Sequence, residues 1–198
     1  MLEIEEYAKK YNIPIMQKDG INFLTGFIKK NNIKSILEIG TAIGYSAIKM
    51  ALVADDIYIT SIERDVSRYK EAVKNISKYN LEDRITLICD DAFNVSLTDS
   101  FDLIFIDAAK AQNIKFFNKF TPNLNDKKYV ITDNLNFHGL VNSRQEMSKN
   151  LRQLVKKINN YIDFLKENKD YDTTFYDVGD GISVSIKRWE YGNNYRLF

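Results

Sequence analysis

The sequence predicts an α/β fold built on a mostly parallel seven-stranded sheet, with helices on both faces and an antiparallel hairpin at the C-terminal edge. Three features predict it. Short β-branched runs alternate with longer stretches of helical period along most of the chain. A glycine loop, Gly40-Thr-Ala-Ile-Gly44, separates the first apolar run from the helix after it. Near the C-terminus, two runs flank a turn with two glycines, Val178-Gly-Asp-Gly181, which reads as a hairpin.

Taken in order, Glu3 to Lys10 reads as a helix and Pro14 opens a loop. Gly20 to Lys30 is the next helix, with Ile21, Leu24, Phe27 and Ile28 on one face. Ser35 to Ile39 is a buried strand, and a helix runs from Tyr45 to Val53. A second strand spans Ile57 to Ile62, followed by a helix over Val66 to Lys78. Ile85 to Cys89 forms the third strand, in which the lone Cys89 is expected to be buried. The fourth strand, Phe101 to Ile106, ends on Asp107. Gln112 to Phe120 is helical, and Tyr129 to Thr132 is a fifth strand ending on Asp133-Asn134. A long polar helix spans about Ser143 to Lys166, and the strands Thr173 to Asp177 and Ile182 to Lys187 close the chain.

The 198 residues fit one domain, 1–198, in which residues 1–34 supply N-terminal helices covering the site. Hydrophobic residues make up 44% and charged residues 28%, which is a globular composition. Lys+Arg 28 against Asp+Glu 27 leaves a net charge of +1, so no global charge drives the chain to nucleic acid or membrane. A single cysteine forms no intrachain disulfide and suits a reducing cytoplasm. The acidic start, Met1-Leu-Glu-Ile-Glu-Glu, is no signal peptide. No stretch approaches the roughly 20 apolar residues of a membrane helix.

In a parallel sheet, ligands bind beyond the carboxyl ends of the strands, where the chemistry-bearing residues cluster. Gly40 and Gly44 sit between a strand and a helix, where free N–H groups and close backbone approach favour a ligand. Their G-x-x-x-G spacing departs from the G-x-G-x-x-G of a dinucleotide site and disfavours a dehydrogenase. Glu63 follows the second strand at an offset suited to accepting bonds from ribose hydroxyls. Together these features point to an adenosine-containing ligand. Asp107, Asp133 and Asn134 end neighbouring strands and offer only oxygen atoms, which suits Mg²⁺ or a similar hard cation. Lys110, three residues beyond Asp107, is placed to take a proton from a metal-bound hydroxyl.

These residues in this order resemble the class I S-adenosylmethionine-dependent O-methyltransferases of the caffeoyl-CoA and catechol type. The matching pieces are Leu37-Glu-Ile-Gly-Thr-Ala-Ile-Gly-Tyr-Ser46, Ser61-Ile-Glu63, Asp91-Ala92, Phe105-Ile-Asp-Ala-Ala-Lys110, Asp133-Asn134 and Val178-Gly-Asp-Gly181. They span nearly the whole chain. The resemblance implies a Rossmann-like methyltransferase fold. It also implies that Glu38, Gly40 and Ser46 bind the cofactor, the last two at its methionine end, with Met16 packing nearby. Glu63 would hold the ribose, and Asp91 with Ala92 would border the adenine. Asp107, Asp133 and Asn134 would bind the metal, Asp107 also lying near the cofactor, and Lys110 would be the general base. Two positions depart from the pattern: Asp90 stands where glycine is usual, and His138 replaces a usually basic residue and reads as a loop residue. A homodimer is also implied by the resemblance.

The implied reaction is an in-line displacement in which a hydroxyl oxygen attacks a sulfonium methyl. An acceptor with two adjacent oxygens would chelate the open metal positions. Catechol-like small molecules satisfy that rule, and so does 5-hydroxyuridine in tRNA, whose 5-hydroxyl lies beside the O4 carbonyl. The chain looks especially similar to the bacterial branch that makes 5-methoxyuridine at the tRNA wobble position, including Ile13-Pro-Ile-Met-Gln17 and the Val-Gly-Asp-Gly ending. Arg144, Lys149, Arg152, Lys156 and Lys157 on the long helix form a candidate phosphate track. A reading of another class is a non-catalytic S-adenosylmethionine-binding protein; Lys110 and the metal trio argue against it.

Overall fold

The computed structural model describes residues 1–136 and 148–188. Helices α1 (Leu2–Lys10) and α2 (Lys18–Lys30) precede strand β1 (Ser35–Ile39). Then follow α3 (Tyr45–Ala51), β2 (Tyr58–Glu63), α4 (Val66–Lys78), β3 (Ile85–Cys89) and β4 (Phe101–Ile106). After a 3-10 turn at Lys110–Gln112 come α5 (Asn113–Phe120), β5 (Leu124–Thr132), α6 (Lys149–Glu167), β6 (Tyr171–Tyr176) and β7 (Ile182–Lys187). The sheet order is β3-β2-β1-β4-β5-β7-β6. The first five strands pair in parallel, whereas β7 runs antiparallel to β5 and β6. This is the predicted architecture, and β1, α4, β3, β4 and β7 have the expected bounds.

The alternation of side chains along each strand builds two cores. Ile36, Leu103, Phe105 and Ile131 face α1, α2 and α3 in one cluster. Leu37, Ile39, Ile104, Ile106 and Val130 join Phe116, Phe117, Phe120, Tyr161 and Leu165 of α5 and α6 in the other. Strands covered on both faces therefore read as continuous apolar runs. Helix α2 buries Ile21, Leu24 and Ile28 at helical spacing, with Asp19 in its first turn and Lys29 and Lys30 in its last, which suits its dipole. Helix α4 starts where the Asp65 carboxylate accepts the Ser67 and Arg68 N–H groups.

Helix α2 starts at Lys18, α3 ends at Ala51 and β6 spans Tyr171–Tyr176, each two residues or fewer from the expected bounds, and other expectations need correction. Cys89 is exposed rather than buried, because β3 is an edge strand with one neighbour and Cys89 is its last residue. Strand β5 begins at Leu124, five residues before the expected Tyr129, and its register against β4 shifts between Phe101 and Leu103. The helix expected from Gln112 starts one residue later, after the 3-10 turn. His138 and Arg144 lie outside the described residues. Among the described residues, no helix is long and apolar enough to cross a membrane.

Candidate functional site

Strand order reverses at β1, which has β2 on one side and β4 on the other. Such a switch point opens a crevice beyond the strand ends. Here the backbone ladder continues one residue past four strands. Asp90 N–H bonds Glu63 O at 3.1 Å, Gly40 N–H bonds Ile62 O at 3.0 Å, Asp107 N–H bonds Ile39 O at 3.0 Å, and Asp133 N–H bonds Ile106 O at 3.2 Å. Four chemistry-bearing residues are thus carried to one level by the sheet itself. A cavity of about 360 Å³ lies there, and its wall includes Met16, Gly40, Glu63, Asp91, Ala92, Asp107, Lys110 and Asn134.

The glycine loop is shaped by both neighbouring strands. Gly40 has φ +105°, and a Cβ there would lie 2.3 Å from the carbonyl oxygen of Asp107. Only glycine lets β1 and β4 approach so closely at this point. Both oxygens of the Glu63 carboxylate accept backbone bonds of 2.8 Å, one from Ala42 N–H and one from Asp65 N–H. The carboxylate is therefore fixed on the cavity wall, and each oxygen keeps lone pairs for a further donor.

Glu38 and Ser46 take a different position. Neither is on the cavity wall. Glu38 is fully buried and accepts bonds from the Ser46 and Ser61 hydroxyls. Ser61 in turn shares a 2.6 Å hydrogen bond with Thr41. Burial pushes the Glu38 carboxyl up to about 7, although the two serine bonds pull the other way. This network ties the ends of β1 and β2 to the glycine loop and to the first turn of α3.

Beyond β3, Asp90 Oδ1 accepts from Asp91 N–H at 2.6 Å and from Asn94 Nδ2 at 2.9 Å. Asp90 is not among the residues with left-handed backbone, so nothing in its conformation demands glycine. Asp91 Oδ1 accepts from Phe93 N–H at 2.9 Å. Phe93 and Phe116 stack at 4.8 Å, 11° from parallel, and both line the cavity. Arg64, Arg68 and Tyr45 complete this side of the wall. Tyr45 donates to Glu5 Oε1 at 2.9 Å, which fastens α1 to α3 beside the site.

At the β4 and β5 ends the polar groups converge. Lys110 Nζ lies 3.0 Å from Asp107 Oδ1, and the Asn134 amide donates to the same oxygen at 3.2 Å. Asp133 is 3% exposed, off the cavity wall, and its buried Oδ1 has no hydrogen-bond partner. Burial, reinforced by the Asp107 charge, pushes its carboxyl up to about 7. A buried carboxylate oxygen with no donor beside a second carboxylate is costly unless a cation joins them. Two carboxylates and an amide oxygen are a hard, all-oxygen donor set, so these residues fit a divalent cation. Asn134 has φ +67°, a left-handed conformation that asparagine tolerates. No group of three His, Cys, Asp or Glu residues among the described residues is placed to hold a metal.

Sequence reasoning did not single out Tyr45, Arg64, Arg68, Phe93 or Phe116 for this wall. The available signal was adjacency: Arg64 follows Glu63, and Phe93 follows Asp91-Ala92.

The O-methyltransferase family model matches residues 1–188. A caffeoyl-CoA O-methyltransferase from Populus kitakamiensis is 26% identical over 196 residues, covering 91% of this chain and 82% of its own. The crystal structure of a candidate caffeoyl-CoA O-methyltransferase from Staphylococcus aureus shares 40% identity and a TM-score of 0.88, over 93% of this chain and 90% of that one. The O-methyltransferase of Bacillus cereus in complex with SAH has the same fold, with a TM-score of 0.79 at 22% identity over 94% of this chain and 89% of that one. With the glycine loop and the strand-end acids where the sheet carries them, the chain belongs to the O-methyltransferase family.

Proposed function

We propose that this enzyme moves a methyl group from S-adenosylmethionine to a hydroxyl of an acceptor bearing two adjacent oxygens, with a divalent cation held by Asp107, Asp133 and Asn134. One observation carries the metal reading: the buried, unpartnered Asp133 Oδ1 beside Asp107. A divalent cation such as Mg²⁺ would make a coordinated hydroxyl more acidic and fix which oxygen reacts.

The chain's own groups supply the rest. Gly40 leaves room for the donor at the switch point, Glu63 accepts from its ribose hydroxyls, and Asp91, Ala92 and Phe93 border its base. Met16 packs against the methionine end. Glu38 and Ser46 hold the loop from beneath, through the hydrogen bonds described above. Lys110 takes the hydroxyl proton as the oxygen forms its bond to the methyl carbon; the carbon–sulfur bond breaks and its electron pair stays on a neutral sulfur. Holding oxygen, carbon and sulfur in line is the other main contribution.

For the acceptor we favour 5-hydroxyuridine at the tRNA wobble position, giving 5-methoxyuridine. Support comes from α6, whose exposed Lys149, Arg152 and Lys156 recur at helical spacing and share one stripe, with Lys157 beside it. The same helix packs on the 3-10 turn that carries Lys110. Catechol-like small molecules are the second reading, favoured by the name of the Populus relative. Replacement of Asp133 by alanine, or addition of EDTA, is expected to abolish transfer; full activity in either case would remove the metal role.

A further inference from the structure

Asn134 lies on the wall of the first cavity, and the next two residues, Leu135 and Asn136, line a second one of about 640 Å³. The two are neighbours along the chain where it leaves β5. The second is a groove between α6 and the edge strand β6. Asn159, Asp163 and Lys166 contribute to it from the helix, and Phe175 and Asp177 from the strand and the residue after it. Strand register carries Phe175 to the face on which α6 packs. Phe175 pairs with Ser183, and Ser183 pairs with Thr132, whose hydroxyl shares a 2.8 Å hydrogen bond with Tyr161 of α6. Lys166 Nζ is 5.9 Å from the centre of the Phe175 ring, at the outer limit of a cation–π contact, and the residue stays 38% exposed. The ring is therefore an open stacking face.

The groove continues the basic stripe of α6. Lys149, Arg152, Lys156, Asn159, Asp163 and Lys166 are all exposed and follow one another at intervals of three and four residues, which places them on one face of the helix. Cations in the first turns thus lead into a groove that holds an amide and two carboxylates. That order of charges sorts the parts of a nucleotide chain. Phosphates suit Lys149, Arg152 and Lys156, whereas Asp163 and Asp177 repel them inside the groove. A base brings a flat ring for Phe175 and N–H donors for the Asn159 amide oxygen and the Asp163 carboxylate. A free phosphate or an acidic peptide would meet the same two carboxylates with no ring to stack. We propose that this groove is a nucleobase subsite, in which a base neighbouring the reacting uridine of single-stranded RNA stacks on Phe175 and turns its polar edge to Asn159 and Asp163. The assignment rests on the tRNA reading of the acceptor and adds to it a contact specific to an unpaired base.

The test is Phe175→Ala in the full chain, with affinity for an anticodon stem-loop RNA carrying 5-hydroxyuridine measured by fluorescence anisotropy across a salt series. Loss of one base stack should weaken binding about 5- to 150-fold. The logarithmic salt slope should not change, because no phosphate contact is lost. Phe175→Tyr keeps the ring and should bind as the parent does. An abasic residue on one side of the wobble position should weaken the parent by a similar factor and cost Phe175→Ala nothing further. Equal affinity of parent and Phe175→Ala, additive losses with an abasic residue at either neighbour, or a parallel loss of S-adenosylhomocysteine affinity would each overturn the subsite. Phe175→Leu, which keeps apolar volume without a ring, repeats the test if the alanine variant does not fold. Binding by it equal to the parent's, or failure of both to fold, would make Phe175 structural and also overturn the assignment. If the parent does not bind the RNA, the tRNA reading falls and takes the subsite with it. If the parent binds and only alanines in the basic stripe weaken it, the tRNA reading stands alone.

Discussion

Gly40 and Asp107 meet at the point where the sheet changes direction: a Cβ on Gly40 would lie 2.3 Å from the Asp107 carbonyl oxygen. The contact joins the donor loop to the strand end that carries a proposed metal ligand, so neither can shift without the other. Gly40→Ala combines that overlap with a strained φ of +105°, and should cost on the order of 3 kcal/mol of stability. Thermal or urea unfolding measures it, and S-adenosylhomocysteine affinity should fall with it. A variant as stable as the parent would mean that the loop relaxes freely.

Two buried carboxyls set the pH dependence of the metal-free protein. Glu38 and Asp133 are each pushed up to about 7, mainly by burial. Between their ordinary carboxylate values and 7, the folded state holds protons that the unfolded state releases. Their stabilising contribution is therefore full below the unfolded values and lost as pH rises through 7. In EDTA, the thermal midpoint should rise as pH falls from 8 to 6, and Glu38→Gln should flatten part of that rise. A midpoint that falls over this window would contradict the assignment.

The proposed proton-transfer role of Lys110 can be tested separately from binding. Lys110→Ala should lower kcat by about 10²- to 10⁴-fold while leaving S-adenosylhomocysteine affinity within about twofold. Lys110→Arg should not rescue it, because guanidinium does not give up its proton near neutral pH. Rescue by arginine would make Lys110 an electrostatic anchor for Asp107, 3.0 Å away.

Much of this site was legible before any fold was in view. Asp107 and Asp133-Asn134 were readable because continuous apolar runs end abruptly on them, and the ladder bonds place those ends at one level. The placement of Glu38 and Ser46 off the cavity wall was not, because strand alternation turns Glu38 to the side on which α3 packs, where Ser46 meets it. The burial of Cys89 was misjudged because sequence shows an apolar run but not which strand lies at the edge. The early start of β5 was hidden by the polar stretch Asn125-Asp-Lys-Lys128 and by the left-handed Lys127 within it. Arg68 and Phe116 reach the cavity through tertiary packing that has no local pattern.

The basic stripe of α6 separates the two acceptor readings. Alanine at Lys149, Arg152, Lys156 and Lys157 should weaken tRNA binding and make its salt dependence shallower, by about 0.7 to 0.9 in the logarithmic slope for each phosphate that is no longer neutralised. Methylation of a small catechol should be unchanged. Equal tRNA methylation by parent and variant would leave the stripe a solvated helix face.

The most direct test of the central claim supplies the purified enzyme with labelled S-adenosylmethionine, Mg²⁺ and tRNA carrying 5-hydroxyuridine, with a catechol panel in parallel. Label should pass to the tRNA, and both EDTA and Asp133→Ala should abolish the transfer. Transfer that persists without a divalent cation would contradict the metal site, and transfer confined to catechols would contradict the tRNA assignment.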